Sequence, residues 1–164
     1  MITCLPARDR VAVPWKNGGG VTREVCVSPA GAGMAAFDWR ISMAEVTQAG
    51  PFSSFDTIDR HLTVLGGRLE LAFDDRTAVL GSGDSLAFAG EATCHGTPLD
   101  GPVTDLNVMT RRGRVTASVR RVSGEVAVTA ATAFLIDLAS LDALHLDNES
   151  VVTAQFPSLL IEIF

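Results

Sequence analysis

Lysine is nearly missing from this chain. Lys16 is the only one among 164 residues, and every other strongly basic side chain is arginine. Cysteine is scarce too: Cys4, Cys26 and Cys94 form no C-x-x-C pair, and their odd number argues against a disulfide framework, which fits a reducing compartment. No apolar run approaches the roughly 18 residues needed to span a bilayer, and "MITCLPARDRVAVPW" lacks the apolar core of a signal peptide. A cytoplasmic location and no membrane association are therefore expected. The histidines, His61, His95 and His145, are scattered singly with no His-x-His, which argues against three converging metal ligands. A net charge of −6 argues against nucleic acid as a general partner, because phosphate neutralisation needs a basic face. One local exception is "RRGRVTASVRRV", Arg111 to Val122, read as a solvated edge strand whose charges discourage edge pairing.

What is present is the texture of an all-β protein. Short runs rich in Val, Ile, Leu, Phe and Thr alternate with Gly, Pro, Asp and Ser, pointing to a sandwich, jelly roll or barrel. Only "AFLIDLASLDALHL" offers a helical alternative, through Leu135, Leu138, Leu141 and Leu144. A faint echo between "GDSLAF" and "LDALHL" hints at two copies of one β-unit and favours the strand reading there. "RHLTVLGGRLELAF" predicts a hairpin turning at Gly66-Gly67, with Val64 opposite Leu69 and Leu62 opposite Leu71. Extended by two residues, that register sets Arg60 opposite Phe73, on the inward face. An inward arginine requires a partner: an internal carboxylate such as Asp59 or Asp56, or the carboxylate of a ligand.

The stretch "PWKNGGGVTREV", Pro14 to Val25, carries an aromatic, the lone lysine, an amide and three consecutive glycines. It does not match a phosphate loop, since the lysine precedes the glycines and a strand follows them. There is no G-x-S-x-G, and the paired acids Asp74 and Asp75 fall at an expected hairpin tip. Trp15 and Trp39 are candidates for walling a pocket, with core packing as the alternative for both.

Taken in order, "PWKNGGGVTREV", "FDWRISMAEV", "GPFSSFDTIDRHLTVLGG" and "DLNVMTRRG" resemble the HutD/Ves family, associated in many bacteria with histidine-utilisation operons. The similarity is dense from about Pro14 to Gly113. The resemblance implies a cupin-type jelly-roll barrel with bicupin character. It suggests one cupin-like domain over 1–164, or two lobes: a main barrel at 1–113 and a smaller β unit at 114–164. It also implies a bacterial protein that tunes histidine breakdown by binding a small anionic metabolite, urocanate or formylglutamate, rather than by catalysis. Metal-binding cupins carry His-x-His and a glutamate in their first motif and a histidine in their second. Here "DRHLTVLGG" and "GDSLAFAGEATCH" occupy those places; Gly83, Gly90 and His95 fit, but the His-x-His and glutamate are missing. No metal and no cofactor are expected, and Arg60 stands where the ligand cluster would begin. Family-typical positions map onto Trp15, Lys16, Asn17, Gly18, Gly19, Gly20, Arg40, Ser42, Arg60, Asn107, Met109 and Arg112. Arg40 and Ser42 share one strand face, as do Asp105, Asn107 and Met109. All of these but Gly20, Arg112 and Asp105 are taken as candidate ligand contacts. The rival reading is a metal-independent enzyme using Glu24, Glu45 or His61 as acid or base. A third is an interaction protein that docks a partner on its arginine-rich strand, and a homodimer is left open.

Overall fold

The apolar alternation resolves into fifteen strands and one 3₁₀ turn in the computed structural model, which describes residues 1–164. In chain order these are β1 (Ile2–Leu5), the 3₁₀ turn (Ala7–Asp9), β2 (Ala12–Pro14), β3 (Gly20–Ser28), β4 (Trp39–Val46), β5 (Gly50–Pro51), β6 (Ile58–Gly66) and β7 (Leu69–Phe73). There follow β8 (Thr77–Leu80), β9 (Ser85–Ala89), β10 (Cys94–Pro98), β11 (Val103–Arg111), β12 (Ala117–Ala127), β13 (Thr132–Asp137), β14 (Ala143–Asp147) and β15 (Val151–Ile163). They divide into two units, Val11–Arg114 and Met1–Arg10 with Val115–Phe164.

The larger unit is a jelly-roll barrel of two sheets, ordered β2-β3-β4-β11-β6-β9 and β5-β10-β7-β8. Alternate residues of both sheets meet in one apolar cluster: Val46, Leu62, Val64, Leu69, Leu71, Leu80, Phe88, Cys94 and Val103. Full burial of a side chain such as Leu62 or Leu71 is worth about 1.5–3 kcal/mol, so this cluster fixes which way each strand faces.

The predicted Gly66-Gly67 hairpin does not form. β6 pairs with β11 and β9, whereas β7 pairs with β10 and β8, so the chain crosses from one sheet to the other at this point. Gly67 makes the crossing at φ +87°, and a Cβ there would lie 2.9 Å from the Pro102 carbonyl oxygen. The inward faces survive, with Leu62, Val64, Leu69 and Leu71 all fully buried, because alternation sets the face whichever strand is the partner. Arg60 is likewise inward, but its strand neighbours are Met109 and Phe88, not Phe73. Asp74 and Asp75 sit exposed at the tip joining β7 to β8.

The smaller unit is a single antiparallel sheet, β1-β14-β13-β15-β12, into which the first strand is drawn by its pairing with β14. "AFLIDLASLDALHL" is the β13–β14 hairpin, not a helix, with Leu135 opposite Leu144. Gly83 and Leu141, each preceding an aspartate, turn at φ +92° and +63°. The two strands they enter belong to different sheets.

The arginine-rich segment is shared between the units, and most of its charge is engaged internally. Arg111 donates to the Phe37 carbonyl at 2.6 Å, Arg112 binds Asp59 and Glu91, and Arg114 reaches Asp38 at 3.0 Å. On β12, the edge of its sheet, Arg120 lies 3.6 Å from the buried Glu162, and Arg121 is exposed. Gly67→Ala is expected to lower stability by about 1–3 kcal/mol in urea unfolding, since it combines a left-handed backbone with a backbone clash.

Candidate functional site

The interior of the larger unit opens into a cavity of about 740 Å³. Its floor is one face of the six-stranded sheet. In register across β4, β11 and β6 run two rows, Arg40–Met109–Arg60 and Ser42–Asn107–Leu62; in a third, Asp105 lies between Ala44 and Val64. Period-two geometry puts Arg40, Ser42 and Ala44, and likewise Asp105, Asn107 and Met109, on this one face. All six line the cavity, with Arg60 and with Thr22 from β3.

At the buried end Arg60 is 8% exposed and makes no ion pair. Its Nη2 donates to Asn107 Oδ1 at 2.8 Å, its Nη1 to the Ser53 carbonyl at 3.3 Å, and its Nε is buried without a partner. The rings of Phe52, Phe55 and Phe88 lie 5.8, 5.4 and 5.1 Å from the guanidinium carbon. Such ring faces attract a cation, but they also exclude the water that would solvate it. Asn107 passes the interaction on, its Nδ2 donating to Asp105 Oδ1 at 2.6 Å. Asp105 is 1% exposed and its Oδ2 has no partner. Burial pushes the Asp105 carboxyl up to about 7, against the opposing pull of Arg60 and the Asn107 hydrogen bond. The internal carboxylate nearest in role is therefore Asp105, and not Asp59, which is held by Arg112, nor the exposed Asp56.

Towards the mouth, Arg40 is held by Glu24, Nε to Oε2 at 3.0 Å, while Lys16 and Asn17 are exposed. Trp15 forms a fixed wall. Its Nε1 donates to Thr22 Oγ1 at 2.7 Å, and its ring meets Phe52 edge-on at 5.9 Å. The ring also covers Gly20, where a Cβ would come within 3.0 Å of it and within 2.6 Å of the Glu45 carbonyl. The glycine run is thus the tip of the β2–β3 hairpin. Trp15 and Gly20 pair through the Gly20 carbonyl at 2.9 Å, and Gly18 turns at φ +74°. Gly19 donates to Asn17 Oδ1 at 2.9 Å and accepts from Thr47 N.

Of the ten residues singled out from the sequence, Trp15, Lys16, Asn17, Arg40, Ser42, Arg60, Asn107 and Met109 line this one cavity. Gly18 and Gly19 do not; they shape the hairpin that presents their neighbours. Trp39 does not line it either, because it alternates with Arg40 and so lies on the other face of β4. Sequence reasoning left out Asp105, although the i, i+2, i+4 spacing with Asn107 and Met109 pointed to it. It also missed Phe52, Ser53 and Phe55, which line the cavity from the segment between β5 and β6, where no periodicity exists to reveal a face. Among the acid–base candidates, His61 and Glu45 alternate out of the cavity face, and Glu24 is engaged by Arg40.

The histidines stay apart: His61 is half-buried, His95 is exposed beside a buried Cys94, and His145 stacks on Phe134 at 4.6 Å. No three His, Cys, Asp or Glu side chains converge. The three converging protein ligands of a metal centre are therefore not provided by these residues, and the charged group at the buried end of the cavity is a guanidinium among phenylalanine rings.

The chain matches the HutD family over residues 7–157. It is 35% identical over 122 residues to an uncharacterised 21.2 kDa protein in the hutC 3′ region of Pseudomonas putida, covering 73% of this chain and 64% of that one. It is 38% identical over 109 residues to protein Ves of Citrobacter koseri, covering 65% of this chain and 56% of that one. The matched segments thus span less than two thirds of these curated relatives. Its structure superposes on that of HutD from Pseudomonas fluorescens SBW25, obtained in a formate condition, with a TM-score of 0.88 at 30% identity over 99% of this chain and 98% of that one. The chain belongs to the HutD family.

Proposed function

We propose that this protein binds a small carboxylate metabolite, of which urocanate and formylglutamate are the candidates, and acts in histidine utilisation as a non-catalytic regulator. Family membership and the hutC-region relative support the pathway. One observation carries the binding chemistry: Arg60 is a buried cation facing a cavity, with neutral hydrogen-bond acceptors and no ion pair. Its nearest acid, Asp105, titrates near neutrality and compensates it only in part. A ligand carboxylate supplies the missing negative charge, and a planar guanidinium fork suits it. The remaining walls, Trp15, Phe52, Phe55 and Met109, fit a flat or largely apolar body.

A thermal-shift series with urocanate, formylglutamate, histidine, glutamate and formate tests this reading on wild type and Arg60→Ala. A ligand at a hundredfold over its Kd stabilises the native state by about 2.7 kcal/mol. Loss of a charged hydrogen bond of about 1.5–3 kcal/mol should weaken binding roughly ten- to hundredfold in Arg60→Ala. The proposal fails if no carboxylate shifts the melting temperature or if the substitution leaves the shift intact, and turnover of urocanate or formylglutamate would overturn its non-catalytic part.

Asp105 also makes a prediction for the ligand-free protein. Its folded pKa is raised from 3.8 to about 7, so its contribution to stability is complete below about pH 4 and is lost as pH rises towards 7. The slope should reach about 1.4 kcal/mol per pH unit in that window and vanish above it. Urea unfolding of wild type and Asp105→Asn across pH 4–8 measures it, the variant lacking this component.

A further inference from the structure

The buried end of the cavity holds an acid and a cation that are joined only through an amide. Asn107 is fixed from both sides: its Oδ1 accepts from Arg60 and its Nδ2 donates to Asp105. Asp105 Oδ1 is thereby occupied, while its Oδ2 is enclosed and unpartnered. An anion arriving at Arg60 brings a second negative charge into the enclosure. Two negative charges facing one guanidinium in a medium of low polarity repel strongly. A proton on Asp105 Oδ2 removes that repulsion, and it leaves the Oδ1–Asn107 bond and the Asn107–Arg60 bond in place.

We propose that the protein takes up one proton from solvent, held at Asp105 Oδ2, each time a carboxylate binds at Arg60. This rests on reading the cavity as a carboxylate site and adds the linkage to it. The surrounding groups leave Asp105 to carry the titration. From β6 the charged group on the cavity face is Arg60; Asp59 and His61 alternate to the other face, and Asp59 is bound by Arg112. From β4 there is Arg40, tied to Glu24 of β3, and beside Asp105 itself β3 and β4 offer only Thr22 and Ala44. Lys16 of the β2–β3 hairpin is exposed, and Cys94 of β10, near Arg60, has its thiol pushed up by burial and stays neutral. Burial lowers His61 below its usual 6.5, so it too is neutral above that pH. Burial has already brought Asp105 to the edge of protonation near neutral pH, and an anion pushes it further in the same direction.

The test is calorimetry with N-formylglutamate and with formate, both fully ionised throughout, from pH 6.5 to 9 in paired buffers of different ionisation heat. Linkage of one proton predicts that Kd weakens by about tenfold per pH unit above roughly pH 7.5, with uptake of about one proton per ligand between pH 8 and 9. Asp105→Asn should bind with a Kd independent of pH and without proton uptake; a merely structural role would weaken binding uniformly and keep the slope. If either ligand binds wild type with a constant Kd and no proton uptake, the coupling is wrong and the carboxylate reading stands. If Asp105→Asn retains the slope, the proton belongs elsewhere and the assignment falls. If neither ligand binds at any pH, the carboxylate reading falls together with the coupling.

Discussion

A single guanidinium, enclosed by three phenylalanine rings and given only neutral acceptors, sets the requirements that the rest of the larger unit meets. Removing Arg60 from water costs several kcal/mol, which two hydrogen bonds and three ring faces offset only in part. The cost is tolerated because the surrounding sheets leave the side chain no other direction. β6 is clamped between β11 and β9, and Leu62 and Val64 lie fully buried on the same face as Arg60. Turning Arg60 outward would turn both of them outward as well.

The Trp15 wall, which shares Phe52 with Arg60, is fixed by equally few contacts. Trp15 follows a three-residue strand that alone would hold nothing, yet its ring is placed by a hydrogen bond to Thr22, an edge contact with Phe52 and a glycine it covers. The three glycines therefore have separate duties: one turns the hairpin, one is tied into the 47–48 segment, and one leaves room for the indole. The lone lysine, Lys16, lines the cavity between Trp15 and Asn17.

How much of this was legible in the sequence depends on how local the determining signal is. Strand alternation is local, so Arg60 could be read as inward on β6, and Arg40 with Ser42, and Asp105 with Asn107 and Met109, as sharing a face; which way those two faces turn is set by packing. Pairing is not local. Gly66-Gly67 looks like a hairpin because both flanking runs alternate correctly, but the choice between turning back and crossing to another sheet is decided by β11, β9, β10 and β8, distant in sequence. Phe52 and Phe55 come from a segment without period, so nothing in it announces a face. Asp105 was within reach, yet its importance comes from enclosure, which only three-dimensional packing supplies.

A bound metal ion and a buried guanidinium receive an anion by different means. A metal offers open coordination positions and can polarise what it binds. A guanidinium offers a fixed charge and directed N–H groups, and it neither gives up its proton nor expands its coordination. Such a group recognises an anion by charge and by the direction of its N–H groups. Asp105 is joined to Arg60 through an amide whose two ends are both engaged, which leaves Asp105 Oδ2 as the atom whose charge can respond to a ligand. The site thus joins a fixed positive charge to one acid whose charge can vary, within a single face of the six-stranded sheet.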